Sequence, residues 1–157
     1  MSRTTRLQII AVGKLRPPHD AAGHMYQERI RERLGLRVDE VAVEKLQMGE
    51  AQAAKREAER IRARLLDGAW TVALDPVGKA PSSSEALAAW LGKRLDVPRP
   101  ITFLIGGAAG LDPELVTGTD ERLSLGPLTL PHQLARVVLA EQLYRSLCIL
   151  AGHPYHH

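Results

Sequence analysis

Residues 101–157 read ITFLIGGAAGLDPELVTGTDERLSLGPLTLPHQLARVVLAEQLYRSLCILAGHPYHH, and this stretch decides the fold class. Ile101 to Ile105 is a short apolar run that stops at two glycines, which predicts a buried strand ending in a loop. A second short strand is predicted at Arg122 to Leu125, and it runs into the near-apolar loop Leu128 to Leu130. Each of the two strands is therefore followed by a loop that contains glycine.

A long helix is predicted after these strands. Pro131 suits a first helical turn, because its missing N–H has no intrahelical partner there, and Gly152 and Pro154 should stop the helix at about Leu150. The helix is apolar on nearly every side, whereas a helix on a monomer surface shows one apolar stripe. A second copy of the chain is the simplest cover, so the pattern predicts a homodimer. The alternative is a central helix covered by the protein's own elements.

The first hundred residues alternate between strand and helix patterns. Strands are predicted at 7–12, 37–43 and 70–74, and helices at 24–34, at 50–66 and after a capping box formed by Ser82 and Glu85. Such alternation is typical of an α/β class with a mainly parallel sheet. The sequence predicts one domain over residues 1–157, with a sheet of five to six strands.

Composition excludes several classes of protein. No apolar stretch approaches the ~20 residues that span a bilayer, so no membrane association is expected. The single cysteine, Cys148, excludes an internal disulfide and fits a reducing, cytoplasmic compartment. The net charge of +3 weakly favours an anionic partner. No Cys/His spacing suggests a metal site.

Both glycine-bearing loops are candidates for ligand binding. The GGAAG segment at 106–110 follows a strand, and ligands of open α/β sheets collect at the carboxyl ends of strands. Gly106 is expected to stay small because ligand and backbone meet there. The leucines of 123–131 could wrap a flat apolar ligand such as adenine. A plain glycine turn and a buried connector are the alternatives, because both sequence motifs are short.

Few polar residues remain on the last helix and the tail. Arg145 could meet a phosphate or an RNA base, and the alternative is an ion pair with Glu141, four residues earlier. The tail supplies hydrogen-bond donors, a stackable ring and possible proton acceptors in His153, Tyr155 and His156. A frayed, inert terminus is the alternative for the tail.

The motifs together resemble a known family, the SPOUT-class methyltransferases that modify N3 of a pseudouridine in large-subunit ribosomal RNA. The resemblance rests on LQIIAVGKL, VALDPVGKAPSSSEALA, FLIGGAAGL, LSLGPLTLPHQLARVVLAEQLYR and the closing GHPYH. It implies a C-terminal trefoil knot and S-adenosylmethionine as methyl donor. It further implies a homodimer that acts on helix 69 of 23S rRNA in the assembled 70S ribosome.

The resemblance also implies roles for particular residues. Arg145 would contact phosphate or base, Tyr155 would stack or orient the base, and His156 would be the general base, with the tail reaching the partner chain's cofactor. The cofactor pocket would be formed by Leu74, Gly106, Leu125, Gly126, Pro127, Leu128, Thr129 and Leu130.

Two other functions remain open on the residues alone. The first is a non-catalytic ribosome-associated factor that keeps the fold and binds RNA. The second is a small nucleotide-binding enzyme of flavodoxin-like type, although the phosphate-binding motifs of such proteins are absent from the sequence.

Overall fold

The computed structural model describes residues 3–155, which form a five-stranded, entirely parallel sheet with helices on both faces. The predicted α/β class with a mainly parallel sheet is thereby confirmed. The strands are β1 (Thr5–Val12), β2 (Gly35–Val41), β3 (Trp70–Lys79), β4 (Ile101–Ile105) and β5 (Glu121–Leu123). The helices are α1 (His19–Arg33), α2 (Glu50–Arg62), α3 (Ser84–Leu95), α4 (Pro113–Thr117) and α5 (His132–Leu150).

The strands lie in the order β2-β1-β4-β3-β5. Because all of them run in the same direction, their carboxyl ends meet along one edge of the sheet. Ile101 at the start of β4 pairs with Leu7 on one side and Trp70 on the other, which aligns the three central strands. The loops after β3, β4 and β5 therefore leave the sheet side by side.

Alternating residues of the strands build two hydrophobic cores, one on each face. On one face Phe103 packs with Leu139 and Leu143 of α5, together with residues of α1 and α3. On the other face Leu104 packs with Ile61 of α2 and other apolar side chains. This period of two explains why β4 is buried at all five positions.

Helix α5 packs against both α1 and α3, and its beginning is tied to the far side of the sheet. Gln133 accepts a hydrogen bond from the Arg16 amide (2.9 Å) and donates one to the Lys14 carbonyl (2.9 Å). Arg136 is buried and pairs with Glu40 at 2.7 Å. The chain therefore crosses from the edge strand β5, over the ends of the inner strands, to the loop after β1.

Several predicted boundaries are wrong by a few residues. Helix α1 begins at His19 and not at residue 24, and it includes Gly23, where an added Cβ would lie 2.4 Å from a Leu15 methyl carbon. Gly23 therefore lies inside α1 and packs closely against Leu15. The cap of α3 is Ser83 and not Ser82, because the Ser83 hydroxyl accepts from the Ala86 amide at 3.0 Å.

The strand and helix ends near the site also differ from the prediction. Strand β3 continues past Leu74 to Lys79, because Lys79 still pairs with Leu123 of β5. Strand β5 ends at Leu123, two residues before the predicted end. Pro131 caps α5 and does not occupy its first turn, since its ψ of 144° is not helical.

Candidate active site

A cavity of about 810 Å³ opens at the carboxyl edge of the sheet, where β3, β4 and β5 end. Its volume lies within the range of about 300–1,000 Å³ that is typical of small-molecule sites. The walls come from residues 74–76 of β3, the glycine loop after β4, helix α4, the loop 124–131 after β5, and the first turn of α5. The two loops singled out in the sequence therefore face one cavity.

Six of the eight predicted cofactor residues line this cavity. They come from the middle of β3, the glycine loop and the loop 124–131: Leu74, Gly106, Leu125, Gly126, Leu128 and Leu130. Pro127 and Thr129 belong to the same loop but are exposed and lie outside the lining. The structure thus brings the predicted residues together, and their role in binding stays a prediction.

The loop 124–131 is held in its shape by Ser124 and Gly126. The buried Ser124 hydroxyl accepts from the Gly126 amide (3.1 Å) and donates to the Gly126 carbonyl (2.9 Å). Gly126 has a φ of +131°, a conformation that side chains disfavour, so glycine is required at this turn. Beyond the turn Leu128 is 79% exposed while lining the cavity, so the alternative of a buried connector is wrong for this residue.

The backbone of the glycine loop itself requires Gly106 to be small, and closeness to a ligand stays a prediction. A Cβ at this position would lie 2.7 Å from the Gly110 carbonyl carbon and 2.9 Å from the Leu111 amide nitrogen. The glycine loop folds back onto itself here, since Gly107 and Gly110 form an isolated bridge. The loop's own backbone therefore excludes a side chain, before any ligand is considered.

Three ionisable side chains stand in the otherwise largely apolar lining: Asp75, Arg122 and His132. Asp75 lies within β3 and accepts a hydrogen bond from the Val77 amide at 3.1 Å. Arg122 and His132 were not predicted. Their positions offered a signal, because Arg122 precedes the leucine loop and His132 follows Pro131 at the start of α5.

A second group of side chains surrounds Glu141 in the last half of α5. One carboxylate oxygen of Glu141 accepts from Arg145 Nε (2.9 Å), from Arg145 Nη2 (2.6 Å) and from the Tyr155 hydroxyl (3.2 Å). The Tyr155 ring packs edge-on against Tyr144 at 4.7 Å and lies 5.0 Å from the Arg145 guanidinium. Within residues 3–155 Arg145 thus forms the ion pair that was its alternative assignment.

The protonation of Tyr155 limits what it can do chemically. Burial, a hydrogen bond with Tyr26 and the nearby Glu141 charge raise the pKa of Tyr155 well above its ordinary value of 10. The phenol therefore keeps its proton at neutral pH. It can donate a hydrogen bond or stack on a base, but it cannot serve as the general base.

The cavity and the Glu141 group are separate in one chain. Neither Arg145 nor Tyr155 lines the cavity, and Ala135 is the last residue of α5 that does. Ten residues of helix separate Ala135 from Arg145, which is about 15 Å at a rise of about 1.5 Å per residue. His156, predicted to be the general base, lies outside the described residues.

Comparison with known proteins identifies the fold family. A family model described as "Predicted SPOUT methyltransferase" matches residues 5–156. The chain belongs to the SPOUT methyltransferase family. This family has a knotted α/β fold, so the trefoil knot expected at the C-terminus is confirmed at the level of the family.

Relatives in several bacteria carry the same name, "Ribosomal RNA large subunit methyltransferase H". The protein of Acidiphilium cryptum is 47% identical over 153 residues, which cover 96% of this chain and 93% of the relative. The protein of Phenylobacterium zucineum is 45% identical over 157 residues, with 96% and 98% covered. That of Gluconacetobacter diazotrophicus is 42% identical over 153 residues, with 96% of each covered.

A solved structure shares the fold at low sequence identity. It is a probable methyltransferase from Bordetella pertussis Tohama I, with a TM-score of 0.50 and 14% identity. The match covers 91% of this chain and 96% of the other. At this level of identity the likeness supports the fold alone.

Residues 3–155 lack two kinds of structural feature. No helix there has both the length and the apolar character that crossing a bilayer requires. Nor does this part of the chain contain a group of three or more His, Cys, Asp or Glu side chains arranged to hold a metal ion.

Proposed function

We propose that this protein transfers a methyl group from S-adenosylmethionine to N3 of a pseudouridine in helix 69 of 23S rRNA, on the assembled 70S ribosome. The observation that carries the proposal is the cavity at the sheet edge, closed by the loop 124–131, in a chain of the SPOUT methyltransferase family. The relatives named for large-subunit ribosomal RNA support the choice of substrate, since each matches this chain over 96% of its length. A ribosomal substrate also agrees with a cytoplasmic location.

The cavity fits the chemistry of the methyl donor. Leu125, Leu128 and Leu130 offer apolar surface to an adenine ring, and the backbone of their loop offers donors and acceptors to the ring edge. The carboxylate of Asp75 and the guanidinium of Arg122 can meet the charged and hydroxyl-bearing parts of the molecule. S-adenosylmethionine bound here supplies an already activated methyl group.

The remaining task of the protein is to align the acceptor and remove one proton. The N3–H of pseudouridine is an imide that is neutral near pH 7, and it must lose its proton for the nitrogen to attack. We assign the proton acceptor to His156 because Tyr155 retains its own proton. Tyr155 presents a ring for stacking on a base, and Arg145 presents a planar cation for phosphate or base.

A homodimer would join the two separate groups of residues. Helix α5 leaves Leu134, Val137, Val138 and Ile149 only half-buried, and Leu150 is 47% exposed. The tail begins where this apolar surface ends. Such a surface suits contact with a second copy of the chain. In such a dimer the tail of one chain would serve the cavity of its partner.

A methyl-transfer assay tests the proposal directly. Ribosomes from cells that lack the protein should accept labelled methyl groups from S-adenosylmethionine, and the product should be N3-methylated pseudouridine. Calorimetry should also show binding of S-adenosylmethionine to the isolated protein. Ribosome binding without cofactor binding would instead favour a non-catalytic ribosome-associated factor. Tighter binding of another nucleotide in a thermal-shift panel would favour a flavodoxin-like enzyme.

A further inference from the structure

We propose that Glu141 is a positioning residue for methyl transfer, which holds Arg145 and Tyr155 in one arrangement before RNA binds. The proposal rests on the proposed function, because it assumes that Arg145 and Tyr155 handle the RNA. The sequence alone predicts for Glu141 only a helical ion pair with Arg145. The structure gives it a wider set of contacts.

Both oxygens of the Glu141 carboxylate are engaged. Oε1 accepts the two Arg145 hydrogen bonds and the Tyr155 hydroxyl, so one atom joins the helix to the tail. Oε2 accepts from Gln142 Nε2 at 2.8 Å. The side-chain Oε1 of Gln142 in turn accepts from the Ser84 hydroxyl of α3 at 2.8 Å. The carboxylate is thereby oriented from a neighbouring helix as well as from its own.

Burial distinguishes this pair from an ordinary surface ion pair. The side chains of Arg145 and Glu141 are only 20% and 17% exposed. Those of Arg31 and Glu28, a pair of similar spacing on α1, are 38% and 67% exposed. Charge-assisted hydrogen bonds that are partly shielded from water hold their geometry better than exposed ones, which contribute little.

These hydrogen bonds fix the position of the Arg145 guanidinium relative to the Tyr155 ring. With Arg145 held by two hydrogen bonds, its guanidinium stays 5.0 Å from the centre of the Tyr155 ring. Tyr155 is held at its hydroxyl by Glu141 and at its ring edge by Tyr144. Without the carboxylate Arg145 and Tyr155 each lose a hydrogen-bond partner, and the contact that joins the Arg145 guanidinium to the Tyr155 hydroxyl through one oxygen atom is lost. Glu141 itself does not line the cavity, so it should not affect cofactor binding.

A double-mutant cycle tests this inference. Glu141→Gln, Arg145→Met and the double variant are compared with wild type in single-turnover methylation with ribosomes in excess. We expect Glu141→Gln to slow the reaction about tenfold in the wild-type background and clearly less in the Arg145→Met background, where only the contact with Tyr155 remains to be lost, because interacting residues are not additive. The dissociation constant for S-adenosylmethionine should stay within about twofold of wild type, since Glu141 lies outside the cavity.

A second measurement does not depend on activity. The Arg145 Nε–H signal in nuclear magnetic resonance should show slowed exchange with water in wild type and lose that protection in Glu141→Gln. Glu44→Gln is the matched control, because Glu44 pairs with Arg60 at 2.5 Å on the opposite face of the sheet. The control should leave the methylation rate and the Arg145 signal unchanged.

The possible outcomes separate the two proposals. Multiplicative losses in the cycle, a parallel loss of cofactor affinity, or an unchanged Arg145 signal in Glu141→Gln would each overturn the positioning role. Wild-type protein that methylates no ribosomes would overturn the proposed function. The Arg145 signal would then still decide whether Glu141 holds the guanidinium.

Discussion

The two halves of helix α5 differ in what they are built to contact. The first half begins at the cavity with His132 and Ala135, and it is tied to the loop after β1 by Gln133 and Arg136. The second half carries Glu141 and Arg145, and it receives the tail through Tyr155. The first half thus helps to line the cavity, whereas the second half gathers polar groups that lie outside the lining of that cavity.

This difference suggests that cofactor binding and RNA handling would be assigned to different halves of α5. The lining of the cavity includes residues of β3, β4, β5, their loops and the first turn of α5, but neither Arg145 nor Tyr155, so we expect cofactor binding to be independent of those two residues. The groups suited to RNA lie about 15 Å farther along the helix, estimated from a rise of about 1.5 Å per residue. If both are needed for methyl transfer, a second copy must bring its tail to the cavity. Variants in each half should therefore separate binding from catalysis.

Removing the tail should give the largest effect. Deletion of residues 155–157 takes away Tyr155 and His156 but no residue of the cavity lining. We expect methylation of ribosomes to fall by about 10²- to 10⁴-fold, the range for loss of a general base. His156→Ala alone should cost as much if that histidine is the base, and less if it only positions RNA.

Calorimetry supplies the control for the tail deletion. The affinity for S-adenosylmethionine should remain within about twofold of wild type, since the cavity is complete without the tail. Single-turnover conditions with excess ribosomes keep product release from hiding the chemical step. Full activity of the shortened protein would return these residues to the alternative of a frayed terminus.

Placing a charge on the outer side of α5 should separate the two copies. Val138 is only half-buried in one chain, whereas its neighbour Leu139 is fully buried in the core. In Val138→Glu the fold should persist, and association should weaken by about 100-fold because an unpaired charge is costly to bury. Sedimentation of the variant across a concentration series measures this.

Val97→Glu is the matched control for that experiment. Val97 is 47% exposed in the turn after α3, far in sequence from α5, so its substitution should leave association unchanged. Methylation should be lost together with the dimer in Val138→Glu, while cofactor affinity persists. A wild-type protein that sediments as a stable monomer would contradict the homodimer.

A smaller effect is expected from truncating the leucine loop. Leu128 is 79% exposed and lines the cavity, so Leu128→Ala should hardly change the free energy of unfolding. Contact with a bound adenine would bury that side chain, and truncation should then weaken S-adenosylmethionine binding by about tenfold. Val77→Ala removes apolar surface at a residue that is 85% exposed and outside the lining. Equal affinities in the two variants would exclude Leu128 from the binding surface.

Much of the sheet could be predicted from local patterns. Ile101–Ile105 was found at its observed bounds, because a short apolar run between turn signals is a strong strand signal. Helix α1 was misjudged because Gly23 fits against Leu15, a contact that local sequence does not show. The extension of β3 to Lys79 was missed because it depends on pairing with Leu123, which is distant in the chain.

Site residues could be predicted where they lie together in one loop. They could not be predicted where the fold brings together residues from different helices and strands. Glycine and leucine in 124–131 marked that loop, and six of the eight predicted residues line the cavity. His132 and Arg122 were not predicted, because they line the cavity only through the positions of α5 and β5 in the fold. The Ser84–Gln142–Glu141 chain joins α3 to α5, and no pattern within either helix shows it.

The smallest effect should come from removing the Tyr155 hydroxyl alone. Tyr155→Phe loses the 3.2 Å hydrogen bond to Glu141 but keeps the ring that packs against Tyr144 and Arg145. If stacking on the base is the main task of this residue, the methylation rate should fall by only about threefold, because the ring remains. Tyr155→Ala should cost at least ten times more, since it removes both contacts. Single-turnover rates of the two variants measure the difference, with cofactor affinity as the control. Equal losses in the two variants would assign the role of Tyr155 to its hydroxyl group. The contact of that hydroxyl with Glu141 would then matter more for methyl transfer than the ring contacts.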